Sequence, residues 1–156
     1  MDAYLLMKWL HVLSSTVLFG TGLGTAFHMW MTHRRGDARA IAATSRNVIL
    51  ADWLFTVPSG IVQPATGAAL IALGGFDPWA PWLVATYALY VLALACWLPV
   101  MALQYRVARL AAAAVAGNVP LPPAYDRAMR LWFRLGWPAF LALVAVFALM
   151  VSKSLF

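Results

Sequence analysis

Charge is what this sequence has least of. Of its 156 residues only 5 are acidic and 10% carry a charge, against about 25% in soluble domains. Apolar residues make up 64%, where a soluble domain has about 45–50%. So few polar residues cannot cover a water-soluble globule, and most of the surface must face lipid. The single cysteine, Cys96, lies in an apolar run and excludes a disulfide within the chain. The sequence has no CxxC pair, HExxH, phosphate-binding glycine loop or serine-triad constellation, so soluble-type hydrolysis and nucleotide chemistry have no footing. No cleavable signal is expected, because Asp2 precedes the first apolar run, no basic segment leads it, and the run is too long for a signal core.

Four apolar stretches are present, at roughly 4–31, 47–73, 82–110 and 125–153. Each exceeds the about 20 residues that cross a bilayer, so tilt or overhang into water is expected. The expected fold is all-α: a single transmembrane domain over 1–156, built as an antiparallel four-helix bundle. The connections are HRRGDARAIAATSR, GGFDPWAP and AAAAVAGNVPLPP, with Gly117-Asn118 as a helix stop. The net charge of +6 does not point to nucleic acid, because the arginines sit in short loops. Nine of the 11 basic residues (Arg34, Arg35, Arg39, Arg46, Arg106, Arg109, Arg127, Arg130 and Arg134) flank the first and third connections. That asymmetry predicts a cytoplasmic position for these loops and an outer position for both termini, in a bacterial inner membrane. Trp79 and Trp82 suit the outer interface, and Trp132 suits the inner one.

All 3 histidines lie in the first 33 residues, and an imidazole in hydrocarbon must be compensated. His11 and His28 are separated by about 25 Å of helix rise, whereas two axial ligands of one iron lie only about 4 Å apart. They therefore serve separate metal sites, or one of them is structural. His11 has three readings: hydrogen bonding to a neighbouring helix, ligation of haem or metal, or proton transfer. Met150 is at a similar depth and is a candidate second haem ligand, with five-coordinate iron or His11 of a second copy as alternatives. Lys8 suits a haem propionate or lipid phosphates. Gly22 suits close approach of a flat macrocycle, while Gly20 and Gly24 suit close helix packing, within the chain or in a homodimer.

The second stretch carries the clearest pattern. Asp52, Thr56, Ser59, Gln63 and Thr66 recur at helical spacing and place its polar side chains on one stripe. Such a stripe must face the bundle interior or a wet cavity. Pro58 and Pro64 deprive the carbonyls of Leu54 and Gly60 of their usual donors. This face is a candidate cavity wall or proton path, or it satisfies itself against Tyr87, Tyr90 or Gln104 of the third helix. Asp52 is expected to pair with a cation such as His28, Arg130 or Arg134, or else to handle protons. With prolines in the second, third and fourth helices, three bent helices are expected to leave room for a pocket.

Lys8-Trp9-Leu10-His11, Phe19-Gly20, the run from Ala51 to Pro58, Pro81-Trp82 and Trp97-Leu98-Pro99-Val100 together resemble a bacterial family of uncharacterised predicted integral membrane proteins. Lys8 and His11, with His33 at the basic end of the helix, are more distantly similar to the HemJ-type protoporphyrinogen oxidases and the copper-resistance CopD membrane domain. That resemblance implies haem b with His11 as ligand. The sequence departs from it at Gly24-Thr25-Ala26, where Pro-Arg is expected, and at Thr86, where lysine is expected. The implication carried over is therefore haem binding, not protoporphyrinogen oxidation.

Two functions from different classes follow as expectations. The first is a haem-b protein of membrane electron transfer or redox chemistry, an oxidoreductase with a membrane redox partner. The second is a small-solute or ion binding and transport module, with a non-catalytic assembly partner as a further alternative. Copper in place of haem stays open at this level.

Overall fold

The computed structural model describes Asp2–Ser154 and is all-helical over those residues. Helix α1 spans Ala3–Arg35, α2 Ala38–Ala51, α3 Val57–Gly74, α4 Pro81–Gly117 and α5 Pro123–Ser152. A π-helical turn, Asp52–Thr56, joins α2 to α3, so that Ala38–Gly74 forms one continuous rod. Four rods are thus long and apolar enough to cross a membrane. At one end Tyr4, Gly74 and Phe76 come together, and Lys153 Nζ lies 4.8 Å from the Phe76 ring. This is the terminal end of the bundle; the arginine-flanked connections form the other.

Two expected boundaries move. Residues 38–46 were expected in a loop but form the start of α2. Gly36 stops α1 in the left-handed conformation (φ 70°), and the Asp37 carboxylate then accepts from Arg39 N at 2.9 Å as a new N-cap. Ile41, Ala42, Ser45 and Val48 are buried along one face of the new helix, which gives it a reason to persist beyond the lipid. Likewise α4 continues through Ala111 and Ala114, both buried, to Gly117, with Asn118 (φ 49°) ending it as a left-handed cap.

The π turn follows from Pro58. A proline ring clashes with the carbonyl four residues back and offers it no N–H. Widening the turn relieves both problems, and Val57 N–H bonds the Asp52 carbonyl, five residues back. The helices run without interruption through Pro64, Pro99 and Pro138.

The apolar core lies towards the arginine-rich end. Met29, Ile41, Val48, Val107, Ala111, Tyr125, Met129 and Trp132 form one buried cluster drawn from α1, α2, α4 and α5. Trp132 is only 6% exposed, so it is a core residue and not the interfacial anchor its position suggested. Water beyond the membrane surface drives such burial, whereas lipid is as apolar as leucine and supplies no such force. Towards the terminal end the helices meet through aromatic contacts, Phe19 stacking on Phe140 at 5.3 Å and meeting Phe147 edge-on at 5.4 Å. They also meet there through a cluster of polar side chains.

Candidate functional site

His11 stands on the third turn of α1 and faces α3. Both of its ring nitrogens are engaged: Nδ1 lies 2.9 Å from Thr66 Oγ1, and Nε2 lies 3.1 Å from Gln63 Nε2. The hydroxyl of Thr66 donates to its own helix, to Val62 O at 2.7 Å, so its oxygen is free to accept. This assigns the hydrogen to Nδ1 and leaves Nε2 bare, accepting from the Gln63 amide. The Gln63 carbonyl in turn accepts from the hydroxyl of Ser14, a buried residue one turn along α1 from His11. Both ring nitrogens of His11 and the Gln63 carbonyl are thus engaged. A β-carbon on Gly67 would lie 3.3 Å from His11 Cε1, so the absence of a side chain there makes room for the ring.

The stripe expected on the second span is therefore real, and its terminal half turns towards α1. Thr66 and Ser59 are buried and Gln63 half-buried. Two grooves of the surface lie elsewhere, one at Ala68, Ile71, Ala72 and Tyr87 and one at the arginine-rich end. The stripe is packed against its neighbours and does not wall either groove. The Gly60 carbonyl, deprived of a donor by Pro64, accepts from Tyr90 Oη at 2.6 Å, as expected for a freed carbonyl facing the third span.

Asp52 begins the π turn and is 3% exposed. Thr56 Oγ1 donates to its Oδ1 at 2.7 Å. Gln104, 4% exposed on α4, lies beside the carboxyl. Asp52 Oδ2 and Gln104 Oε1 are both buried without a hydrogen-bond partner. The cation expected for Asp52 is not there: Arg130 and Arg134 are exposed, and His28 turns to α2. The sequence order places these groups at compatible depths, but exposed arginines on α5 gain more from water than from a buried carboxyl.

The other histidines are apart from His11. His28 is exposed, with Nε2 3.4 Å from Thr44 Oγ1, itself 3.2 Å from Thr32 Oγ1. His33 Nδ1 lies 2.9 Å from the hydroxyl of the buried Tyr125, tying α1 to α5. Among the described residues no three His, Cys, Asp or Glu side chains come together as a metal site.

As a donor set for haem, the expected residues do not converge. The Nε2 lone pair of His11, the atom iron would take, is occupied by Gln63. Lys8 and Gly22 are exposed, and a β-carbon on Gly22 would have nothing within 4 Å. Met150 is on α5, while the polar contacts of His11 are all with α1 and α3. Gly20 and Gly24 are equally open, so the close contact expected of them is not made within the chain.

Ser14 and Gly67 are the members of the site that the sequence reading did not single out. Both carry a helical signal: Ser14 follows His11 by three residues, and Gly67 follows Gln63 by four.

The family model described as "Predicted integral membrane protein (DUF2269)" matches residues 5–154. The chain belongs to the DUF2269 family. No curated protein and no solved structure matches it. The match covers all four spans of the DUF2269 chain, so the His11 cluster, the π turn and Asp52 all lie within the family's region.

Proposed function

We propose that this membrane protein handles protons, in the service of ion or small-solute movement across a bacterial cytoplasmic membrane, with the arginine-rich end facing the cytoplasm. The observation that carries the reading is the occupation of both His11 nitrogens by neutral, reversible partners, Thr66 and Gln63. Such a circuit has two satisfied states. In the neutral state Gln63 donates to Nε2 and its carbonyl accepts from Ser14. If Nε2 takes a proton, a half-turn of the Gln63 amide presents its oxygen to Nε2–H. The amide nitrogen then donates to Ser14, whose hydroxyl has the His11 carbonyl 3.1 Å away as acceptor. A charge enters without orphaning any buried group, which is the usual obstacle in a low-dielectric interior.

Asp52 supplies the second station at the other end of the stripe, about 21 Å along the helix from Thr66. Oδ2, buried without a hydrogen-bond partner, is the atom that would take up and release the proton. Thr56, Ser59 and Gln63 lie between, about one turn apart, a spacing bridged by single waters.

Proton flux into proteoliposomes, driven by an imposed potential and read by an internal pH dye, tests this reading. His11→Ala and Gln63→Leu are expected to abolish flux. Flux equal to that of empty vesicles in the unaltered protein ends the proposal. The competing proposal is haem b ligated by His11 in a membrane redox protein. It requires the Gln63 amide to leave Nε2, and it predicts a Soret band that His11→Ala removes.

A further inference from the structure

The arginine-rich end carries a groove of about 340 Å³ between α2 and α4, lined by Arg46, Ile49, Tyr105, Ala108, Arg109 and Ala112. That volume is at the lower end of small-molecule sites, about 300–1,000 Å³. Its composition is divided. Ile49 and Ala108 make an apolar floor on the inner side of the two arginines, Ala112 closes the groove on the outer side, and no acidic side chain lines it. Arg46 and Arg109 are both exposed, so their guanidinium groups can meet a ligand from outside the bundle. Tyr105 is anchored: Trp53 Nε1 donates to its hydroxyl oxygen at 2.8 Å, which leaves the phenolic hydrogen available to an incoming acceptor. Trp53 is itself 55% exposed beside the groove.

We propose that this groove is a binding site for one anionic phospholipid. A phosphate between Arg46 and Arg109 receives two cationic forks. The Tyr105 hydroxyl reaches an oxygen of the headgroup or its ester linkage. The first part of an acyl chain runs over Ala108 and Ile49, on the hydrocarbon side of the two arginines, towards the exposed Trp53 ring, a contact that only a lipid would bring. Charge complementarity and position choose the occupant: an apolar floor opening to hydrocarbon below two cations at the membrane surface fits a molecule built with the same division. Basic pockets between membrane helices hold anionic headgroups for this reason. The site is independent of the proton-handling reading, because none of its residues belongs to the His11 or Asp52 clusters.

Lipid-quenched fluorescence tests it in the full chain, reconstituted in vesicles of phosphatidylcholine and phosphatidylglycerol. Brominated phosphatidylglycerol is expected to quench the Trp53 contribution, defined against Trp53→Phe, more strongly than brominated phosphatidylcholine. Arg46→Gln and Arg109→Gln should each lower that preference about fivefold, with helix content by circular dichroism unchanged. Ala108→Trp, which fills the floor and leaves both charges, should lower it as well. Arg127→Gln with Arg130→Gln, outside the groove, should leave it intact, and inorganic phosphate at matched ionic strength should not compete. Equal quenching by the two lipids overturns the proposal. So does an equal loss in the Arg127 and Arg130 variant, which would mean a diffuse surface field and no site. Displacement by inorganic phosphate alone also overturns it, as the ligand would then be the free anion.

Discussion

Gly67 and His11 are in mutual contact across two helices, with 3.3 Å separating His11 Cε1 from where a β-carbon on residue 67 would stand. That distance is tight for a side-chain contact, so the imidazole owes its hydrogen-bonding position to the missing β-carbon. Gly67→Ala should be nearly neutral in stability, because a gain of about 0.5–1 kcal/mol in helix propensity offsets a shift of a few tenths of an ångström in the ring. Gly67→Val should displace the ring and break the contact with Thr66. Thermal unfolding in detergent reads the first effect, and the imidazole nitrogen shifts read the second.

Tyr90 and Pro64 should be energetically coupled. The Tyr90 hydroxyl serves the Gly60 carbonyl only because Pro64 has no N–H to offer it. Tyr90→Phe should cost about 0.6–1.5 kcal/mol in the parent chain. In a Pro64→Ala background, where the helix satisfies its own carbonyl, the same change should cost close to nothing. Unfolding in a denaturing detergent across the double-mutant cycle measures the difference.

Asp52 is expected to tolerate loss of its charge and not loss of its polarity. Asp52→Asn keeps an acceptor for the Thr56 hydroxyl while removing a buried carboxyl, and should leave stability unchanged or raise it. Asp52→Leu strands Thr56 and Gln104 and should cost about 1–3 kcal/mol. In the flux assay both variants should be impaired, since neither can release a proton. Normal flux in Asp52→Asn would remove Asp52 from the route.

The two ends of the bundle should respond differently to truncation. Tyr125 is 1% exposed in the core at the arginine-rich end and holds His33. Tyr125→Ala should cost about 3–5 kcal/mol, and Tyr125→Phe only about 0.5–1.5. Phe140→Ala, in the half where lipid can refill the space beside Phe19, should cost less than Tyr125→Ala. Unfolding midpoints of the three variants decide the order.

The four spans were legible because lipid demands long apolar runs and because helical spacing put Asp52, Thr56, Ser59, Gln63 and Thr66 on one stripe. The carbonyl freed by Pro64 was legible for the same covalent reason that makes proline disruptive. The start of α2 was not, because Asp37-Ala38-Arg39 is polar enough to pass for a loop until the burial of Ile41, Ala42 and Ser45 behind it is seen. Nor was the assignment of His11. Its partners are 52 to 55 residues away on α3, and a single histidine on a membrane helix has the same appearance whether a metal or an amide awaits it. That Thr66 and Gln63 are what stands beside it follows from the packing of α1 against α3, and that pairing is a tertiary fact. Trp132 was misplaced on similar grounds, since tryptophan is as suited to a buried core as to an interface.

The most direct measurement is the nitrogen-15 spectrum of the His11 imidazole in selectively labelled protein held in lipid at neutral pH. The ring should be hydrogen-bonded at both nitrogens, with the hydrogen on Nδ1 in the neutral form, and should lose the Nε2 interaction in Gln63→Leu. A hydrogen resident on Nε2 in the neutral ring, or a signal insensitive to Gln63, would contradict that arrangement.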